Sequence, residues 1–206
     1  MRRFAFLCFM GFASICSFFS ANCDVKTVAI AGKATAEKQL VADFAKDVLQ
    51  IVAGKASEKE QLQQFCKVLK KYFDLEKMSK VCLAQHYSEM VKQNGEDKVI
   101  DILTKILGKF CLSLFKSTGS DKNATCSVTK AQKRTIKQGG VSTVKRFIYV
   151  TIKANAKSYE VVLIVEDGKI TDAKSENVSM CRTVHDQLNI GKLTWKTLEQ
   201  KAQAGN

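Results

Sequence analysis

The sequence predicts an α+β domain in which several helices come first, an antiparallel β-meander follows, and further helices close the chain. Two patterns predict this order. Apolar residues recur at helical spacing through the first half, whereas from Ser142 to Met180 the apolar repeat changes to a period of two, which is typical of strands. Helices on one face of such a sheet form a roll, and we expect an apolar cavity between the two layers.

The helices of the first half are marked by their end signals. The first helix ends at Gly54, because glycine favours the backbone that terminates a helix. Ser57 and Glu60 form a capping box that starts the second, and Asp74 caps a short third helix. The longest helix is predicted over residues 96–116, and its apolar face is unusually wide.

The meander is predicted from alternation and turn chemistry. Residues 144–152 alternate, residues 159–166 form a strand that is apolar on both faces, and residues 169–173 run back after Asp167-Gly168. An Asp-Gly pair suits the positive φ angles of a two-residue hairpin turn. A sheet with one wet face would alternate cleanly, so we expect both faces of the central strand to be covered.

The remaining segments are predicted as follows. Residues 25–30 form a short strand or an extended arm, and residues 125–129 form a first strand of the sheet, with a loop at 138–140. Helices return over residues 179–188 and again after Thr194, whose hydroxyl caps the last helix.

The first residues have the pattern of a secretory signal peptide. Met1 and two arginines precede an almost unbroken apolar run from Phe4 to Phe19, and small residues follow before Asp24. The run is short for a membrane span, with a retained anchor as the alternative. We expect residues 1–22 to be a signal peptide, residues 23–206 to form a single α+β domain, and the protein to be exported.

The formal net charge of +13 comes mostly from lysines that are scattered along the chain. There is no arginine-rich block, no basic stripe interleaved with aromatic residues and no nucleic-acid-binding motif, so we expect no nucleic-acid partner. The scattered lysines are consistent with a solvated basic surface and also with attraction to an anionic membrane surface or an acidic partner.

No catalytic signature is present: there is no phosphate-binding glycine loop, nucleophile elbow, zinc-protease motif or pair of catalytic carboxylates. We therefore expect neither enzymatic activity nor a cofactor. The two histidines, His86 and His185, each lie four residues after a cysteine, Cys82 and Cys181, on predicted helices. Two such pairs are compatible with a zinc site, but the alternative, core cysteines with histidines at the border, is favoured, and we expect no metal.

Export permits disulfides, and the sequence leaves open whether the cysteines beyond the signal peptide are bridges or buried thiols. No pairing follows from their spacing. These cysteines are Cys66, Cys82, Cys111, Cys126 and Cys181, with Cys23 undecided.

Several segments together resemble a known family. Phe73-Asp74, Met78 and the run from Leu83 to Tyr87 resemble the "Phe-Asp … Met … Leu-Gly-x-x-Trp" segment of the MlaC or toluene-tolerance family of periplasmic phospholipid-binding proteins. The order of signal peptide, helices, meander and helices also matches over nearly the whole mature chain.

Two downstream segments continue the resemblance. Residues 176–180 are similar to the family's Glu-Gly-Val-Ser turn, and residues 190–198 are similar to its closing "Gly-Ile … Leu … Leu" segment. Ala84 and Asn177 stand where the family usually has glycine, and Tyr87 stands where tryptophan is common.

The resemblance implies a non-enzymatic, monomeric periplasmic carrier with bound phospholipid as its cargo and no cofactor. It would move lipid between an outer-membrane lipoprotein complex and an inner-membrane ABC transporter complex. Under this hypothesis, apolar residues of the helices and the meander line the lipid cavity. These residues are Leu83, Tyr87, Leu103, Ile106, Phe110, Ile148, Val150, Val162 and Ile164.

The same apolar residues also fit an ordinary packed core. That interpretation predicts a secreted, non-enzymatic envelope or host-interaction protein with a dry core. An enzyme built on the same roll ranks third, because it needs an acid–base group in the cavity and no carboxylate lies centrally in the apolar strands of the meander.

Overall fold

The computed structural model describes residues 28–119, 125–138, 141–154, 157–175, 178–189 and 194–203. The predicted signal peptide, residues 1–22, lies outside these ranges. Within them, no helix has both the length and the apolarity needed to cross a bilayer.

The described chain is a mixed α+β structure, which confirms the predicted fold class. Its helices are α1 (Ala36–Ala53), α2 (Glu58–Tyr72), α3 (Leu75–Leu83), α4 (Tyr87–Asn94), α5 (Glu96–Gly119), α6 (Met180–Asn189) and α7 (Trp195–Gln203). Its strands are β1 (Ala29–Ile30), β2 (Thr125–Gln138), β3 (Val141–Ala154), β4 (Lys157–Glu166), β5 (Lys169–Ser175) and β6 (Val178–Ser179). They form one sheet in sequence order, in which β1 is parallel to β2 and every other pair is antiparallel.

The helix ends form where the local signals place them. The Ser57 hydroxyl accepts from the Glu60 backbone N–H while the Glu60 carboxylate accepts from the Ser57 N–H, so the capping box at α2 is complete. The Asp74 carboxylate accepts from the Lys77 N–H at the start of α3. Each contact satisfies an amide that has no partner within the helix.

The Asp-Gly hairpin joins β4 to β5 as predicted. Asp167 and Gly168 have φ angles of 49° and 74°, the positive pair that a two-residue turn of this kind requires. Ala84 is another described non-glycine residue with positive φ. It follows α3 with φ 45° and ψ −117°, a conformation that glycine adopts far more readily than alanine.

Four of the helices pack directly on the sheet. α1 contacts β2 and β3, α5 contacts β3, and α3 and α6 both contact β5. α2 packs on α1 and α5, and α7 packs on α5. The approach of α2 to α5 is close at Gly108, where a Cβ would lie 3.2 Å from Leu62 Cδ1 and 3.3 Å from Cys66 Sγ.

β2 is much longer than predicted. Pairing with β3 continues past residue 129 through Lys130–Gln138, after a bulge between Val128 and Lys130. Most side chains of this extension are exposed, so little hydrophobic burial marks it in the sequence. Backbone hydrogen bonds to β3 hold the extension instead.

Candidate functional site

The pairing of β3 with β4 sorts the predicted lining residues between two faces of the sheet. Ile148 lies opposite Leu163, and Val150 lies opposite Val161. Residues directly opposite one another in a ladder point to the same face, so these four side chains share one face. All four belong to the hydrophobic core or pack against it.

The helices cover this face. Leu83, at the end of α3, and Leu103, on α5, belong to the same core cluster as Ile148 and Val150. Direct contact between α5 and β3 and between α3 and α5 brings these elements together. The structure therefore unites four of the nine predicted lining residues at the interface of helices and sheet.

This interface is filled by side chains in the structure. Leu83 and Ile148 are 0% exposed, Leu103 is 1% exposed and Val150 is 4% exposed. A side chain lining an open cavity would expose surface to a water-sized sphere within it. At these four positions, the apolar cavity expected between the layers is closed.

Tyr87 and Ile106 lie at the margin of the same cluster, where both are partly buried. The Tyr87 hydroxyl donates to Glu96 Oε1 over 2.5 Å. Burial and this neighbouring carboxylate raise the pKa of Tyr87 to about 12. The side chain of Phe110, also predicted to line the cavity, lies outside the described part of the chain.

Val162 and Ile164 point away from the helices. Ile164 lies opposite Phe147, and Val162 lies opposite Tyr149, which places all four on the second face of the sheet. The prediction that Val162 and Ile164 line one cavity with Ile148 and Val150 is therefore wrong. Since side chains alternate along a strand, an error of one residue in assigning the face moves the whole set to the other side.

The second face combines aromatic rings with cations. The Arg134 guanidinium lies 4.8 Å from the centroid of the Phe147 ring, and Lys174 Nζ lies 5.7 Å from it. Lys130 Nζ lies 5.6 Å from the Tyr149 ring centroid. Such cation–π contacts at partly exposed sites contribute about 0.5–1 kcal/mol each. Ile164 is nevertheless only 5% exposed, which agrees with the expectation that this face of β4 is covered too.

A buried carboxylate at the end of β4 was not predicted from the sequence. Glu166 is 3% exposed and accepts hydrogen bonds from Lys77 Nζ at 2.5 Å, from Lys145 Nζ at 2.7 Å and from the Thr171 hydroxyl at 3.1 Å. Burial by itself raises the pKa of Glu166, but the hydrogen bonds from Lys145 and Lys77 outweigh it and hold that pKa below its ordinary value. These three hydrogen bonds to Glu166 come from side chains of the fold itself, so we assign the carboxylate a role in stabilising the fold.

The two cysteine–histidine pairs come together near the ends of α3 and α6. His86 Nε2 lies 3.2 Å from Asn189 Oδ1, and Asn189 Nδ2 lies 2.9 Å from His185 Nε2, so Asn189 bridges the histidines. Cys82 and Cys181 lie in the core with no exposed surface. The described residues contain no cluster of three or more His, Cys, Asp or Glu suited to a metal.

The fold is shared with a solved structure of a lipid-binding protein. The similar structure is that of the phospholipid-binding protein from Ralstonia solanacearum in complex with a phospholipid. The match covers 82% of this chain and 97% of that one with a TM-score of 0.58 and 14% sequence identity. No protein-family model matches the sequence, and no curated protein matches it. At this level of identity the likeness shows a common fold.

Proposed function

We propose that this protein is a non-enzymatic phospholipid carrier of the periplasm, which holds lipid tails between the helices and the sheet. The observation that carries the proposal is the fold shared over most of the chain with a protein solved in complex with a phospholipid. The apolar interface of α3, α5 and β3 lies between the same layers in which the proposal places the lipid tails.

Binding requires the layers to separate, because side chains fill the interface at Leu83, Leu103, Ile148 and Val150. Burial of acyl chain contributes about 0.8 kcal/mol per CH₂, so about ten buried methylenes offset about 8 kcal/mol of opening cost. The proposed movement separates α5 from β3 and replaces contacts between side chains with contacts to the lipid tails. Tyr87 and Ile106 then lie at the margin of the tail site.

The direct test is lipid content. Protein purified from the cell envelope without detergent is extracted with organic solvent, and phospholipid per chain is quantified by mass spectrometry. We expect bound phospholipid, and we expect purified protein to move labelled phospholipid between donor and acceptor vesicles. A chain that carries no phospholipid and transfers none would contradict the proposal.

The carrier is proposed to act as a monomer between an inner-membrane ABC transporter complex and an outer-membrane lipoprotein complex. Chemical cross-linking in intact cells, followed by mass spectrometry of the products, tests these partners separately from lipid binding. Export is tested by determining the N-terminal sequence of the protein recovered from the periplasmic fraction. We expect the mature chain to begin after residue 22.

A secreted interaction protein with a dry core is the second candidate. The observation that favours it is the complete burial of Leu83 and Ile148, which leaves no space beside them. It predicts neither bound phospholipid nor vesicle transfer, so the same measurements separate the two candidates.

A further inference from the structure

We propose that Cys82 of α3 and Cys181 of α6 form a disulfide that fastens these two helices together when the chain folds in an oxidising compartment. The inference takes export from the proposed function. It does not depend on lipid binding.

The geometry brings the two sulfur atoms together. A helical side chain leans back over the preceding turn, so the Cys82 thiol lies over the turn that contains Met78. Cys181 Sγ reaches that turn from α6, lying 3.9 Å from the Met78 carbonyl oxygen. Cys82 lies one turn after Met78 on the same face of α3, so Cys181 of α6 faces Cys82 across the interface of these two helices.

Both cysteines are buried where α3 meets α6. Both residues are 0% exposed, and α3 packs directly on α6. The neighbouring Cys82 and burial raise the pKa of the Cys181 thiol well above its ordinary value, so little of Cys181 is present as thiolate in the folded, reduced protein. Disulfide exchange needs thiolate, and oxidation is therefore expected while the two helices are still coming together.

The chemistry is ordinary thiol–disulfide exchange with an oxidant of the disulfide class: a cellular thiol–disulfide oxidoreductase or, in the test tube, oxidised glutathione. One cysteine thiolate attacks the glutathione disulfide, forming a mixed disulfide and releasing one glutathione. The second cysteine displaces the other glutathione, forming the bond between Cys82 and Cys181. Two electrons pass to the oxidant, and the two thiol protons end on the two reduced glutathione molecules.

The bond would join helices that both contact β5, so α3, α6 and this edge of the sheet would move as one unit. Leu83, the predicted lining residue that follows Cys82, would be held with them. Separation of the layers would then be confined to α5 and α1.

Peptide mapping tests the bond. The full chain is reduced, denatured and refolded with oxidised and reduced glutathione, then denatured, treated with N-ethylmaleimide and digested with trypsin. Cleavage after lysine and arginine places Cys82 in peptide 81–92 and Cys181 in peptide 175–182, and neither contains another cysteine. We expect these two peptides linked as the main disulfide product. Recovery of both only as alkylated peptides, or linked to other cysteines, overturns the proposal.

Matched variants extend the test. Cys126→Ala removes another buried cysteine, on β2, and should leave the linked peptides in place. Adding a reducing agent should lower the denaturation midpoint of the wild type and of Cys126→Ala, but not of Cys181→Ala. A wild-type midpoint that reduction does not shift contradicts a bond that fastens α3 to α6. Because none of these readouts involves lipid, a failure here is distinct from a failure of the carrier function.

Discussion

Lys77 and Glu166 lie 89 residues apart in the sequence, and the Lys77 ammonium donates to the Glu166 carboxylate over 2.5 Å. The contact ties α3 to the end of β4. Lys145 binds the second carboxylate oxygen at 2.7 Å, so one buried carboxylate joins a helix and two strands. The side chains of Lys77 and Lys145 are 38% and 28% exposed, so solvent screening weakens their electrostatic interaction with Glu166.

Replacing this carboxylate should destabilise the fold. Glu166→Gln keeps the shape but removes the charge that two ammonium groups share, and we expect a loss of about 1–3 kcal/mol at pH 7. Glu76→Gln is the matched control, since Glu76 pairs with Lys80 on the exposed surface of α3, and it should cost less than about 0.5 kcal/mol. Urea denaturation measures both, and equal effects would contradict a special role for Glu166.

The free energy of unfolding should also depend on pH through the ionisation of Glu166. The pKa of Glu166 is lowered in the folded state, so its contribution is present above the ordinary value of 4.5 and is lost as the pH falls through the folded-state pKa. The free energy of unfolding of the wild type should therefore fall more steeply below pH 4.5 than that of Glu166→Gln. Parallel curves for the two proteins would show that Glu166 has the same pKa in the folded and unfolded chains.

Local sequence signals predict helix ends and turns in this structure, but they do not predict contacts between residues that are far apart in the sequence. The capping box at Ser57 and the Asp167-Gly168 turn depend only on residues within a few positions, and both form as predicted. The pairing of Glu166 with Lys77 depends on the tertiary fold, and nothing in the neighbouring sequence marks it. The exposed half of β2 was missed for a related reason, because its polar side chains carry no burial pattern.

The sequence also leaves open which side chains of the candidate site face the helices. Both faces of β4 are apolar, so alternation identifies the strand without identifying the face that meets the helices. Only the pairing of Ile148 with Leu163 decides it. The helical residues Leu83 and Leu103, predicted to line the cavity, lie in the buried core, because a helix buries one apolar face.

Ala84 provides a prediction in the stabilising direction. Its φ of 45° and ψ of −117° strain an alanine but suit glycine, and its side chain is exposed, so no packing is lost on substitution. Ala84→Gly should raise the free energy of unfolding by about 1 kcal/mol. Ala42→Gly, within α1, should instead lower it by about 1 kcal/mol or more. Thermal denaturation of both variants decides; a destabilised Ala84→Gly would mean that residue 84 is not strained.

The two faces of β4 should respond differently to a charge. Leu163→Asp buries an unpaired carboxylate beneath the helices and should cost several kcal/mol, enough to prevent folding. Val162 is half-buried on the other face and lies opposite Lys174, so a carboxylate introduced there gains a cation. We expect Val162→Asp to fold and to lose less than about 2 kcal/mol. Circular dichroism and urea denaturation make the comparison, and equally severe losses would argue against the assigned faces.

A cavity opened at the interface of helices and sheet should separate a lipid carrier from a dry core. Leu103→Ala removes a fully buried side chain of α5 and should cost about 2–5 kcal/mol in either case. In a carrier, however, it also removes part of the packing that lipid must displace, so phospholipid per chain should rise.

Leu69→Ala is the matched control for this prediction. Leu69 of α2 is also fully buried, but it packs toward Gly108 of α5, between helices. The void left there should destabilise the protein comparably without changing its lipid content. Lipid extraction and urea denaturation of the two variants and the wild type give the answer. If Leu103→Ala is destabilised and holds no more phospholipid than Leu69→Ala, the space between α5 and β3 is a packed core, and tail binding at this interface is wrong.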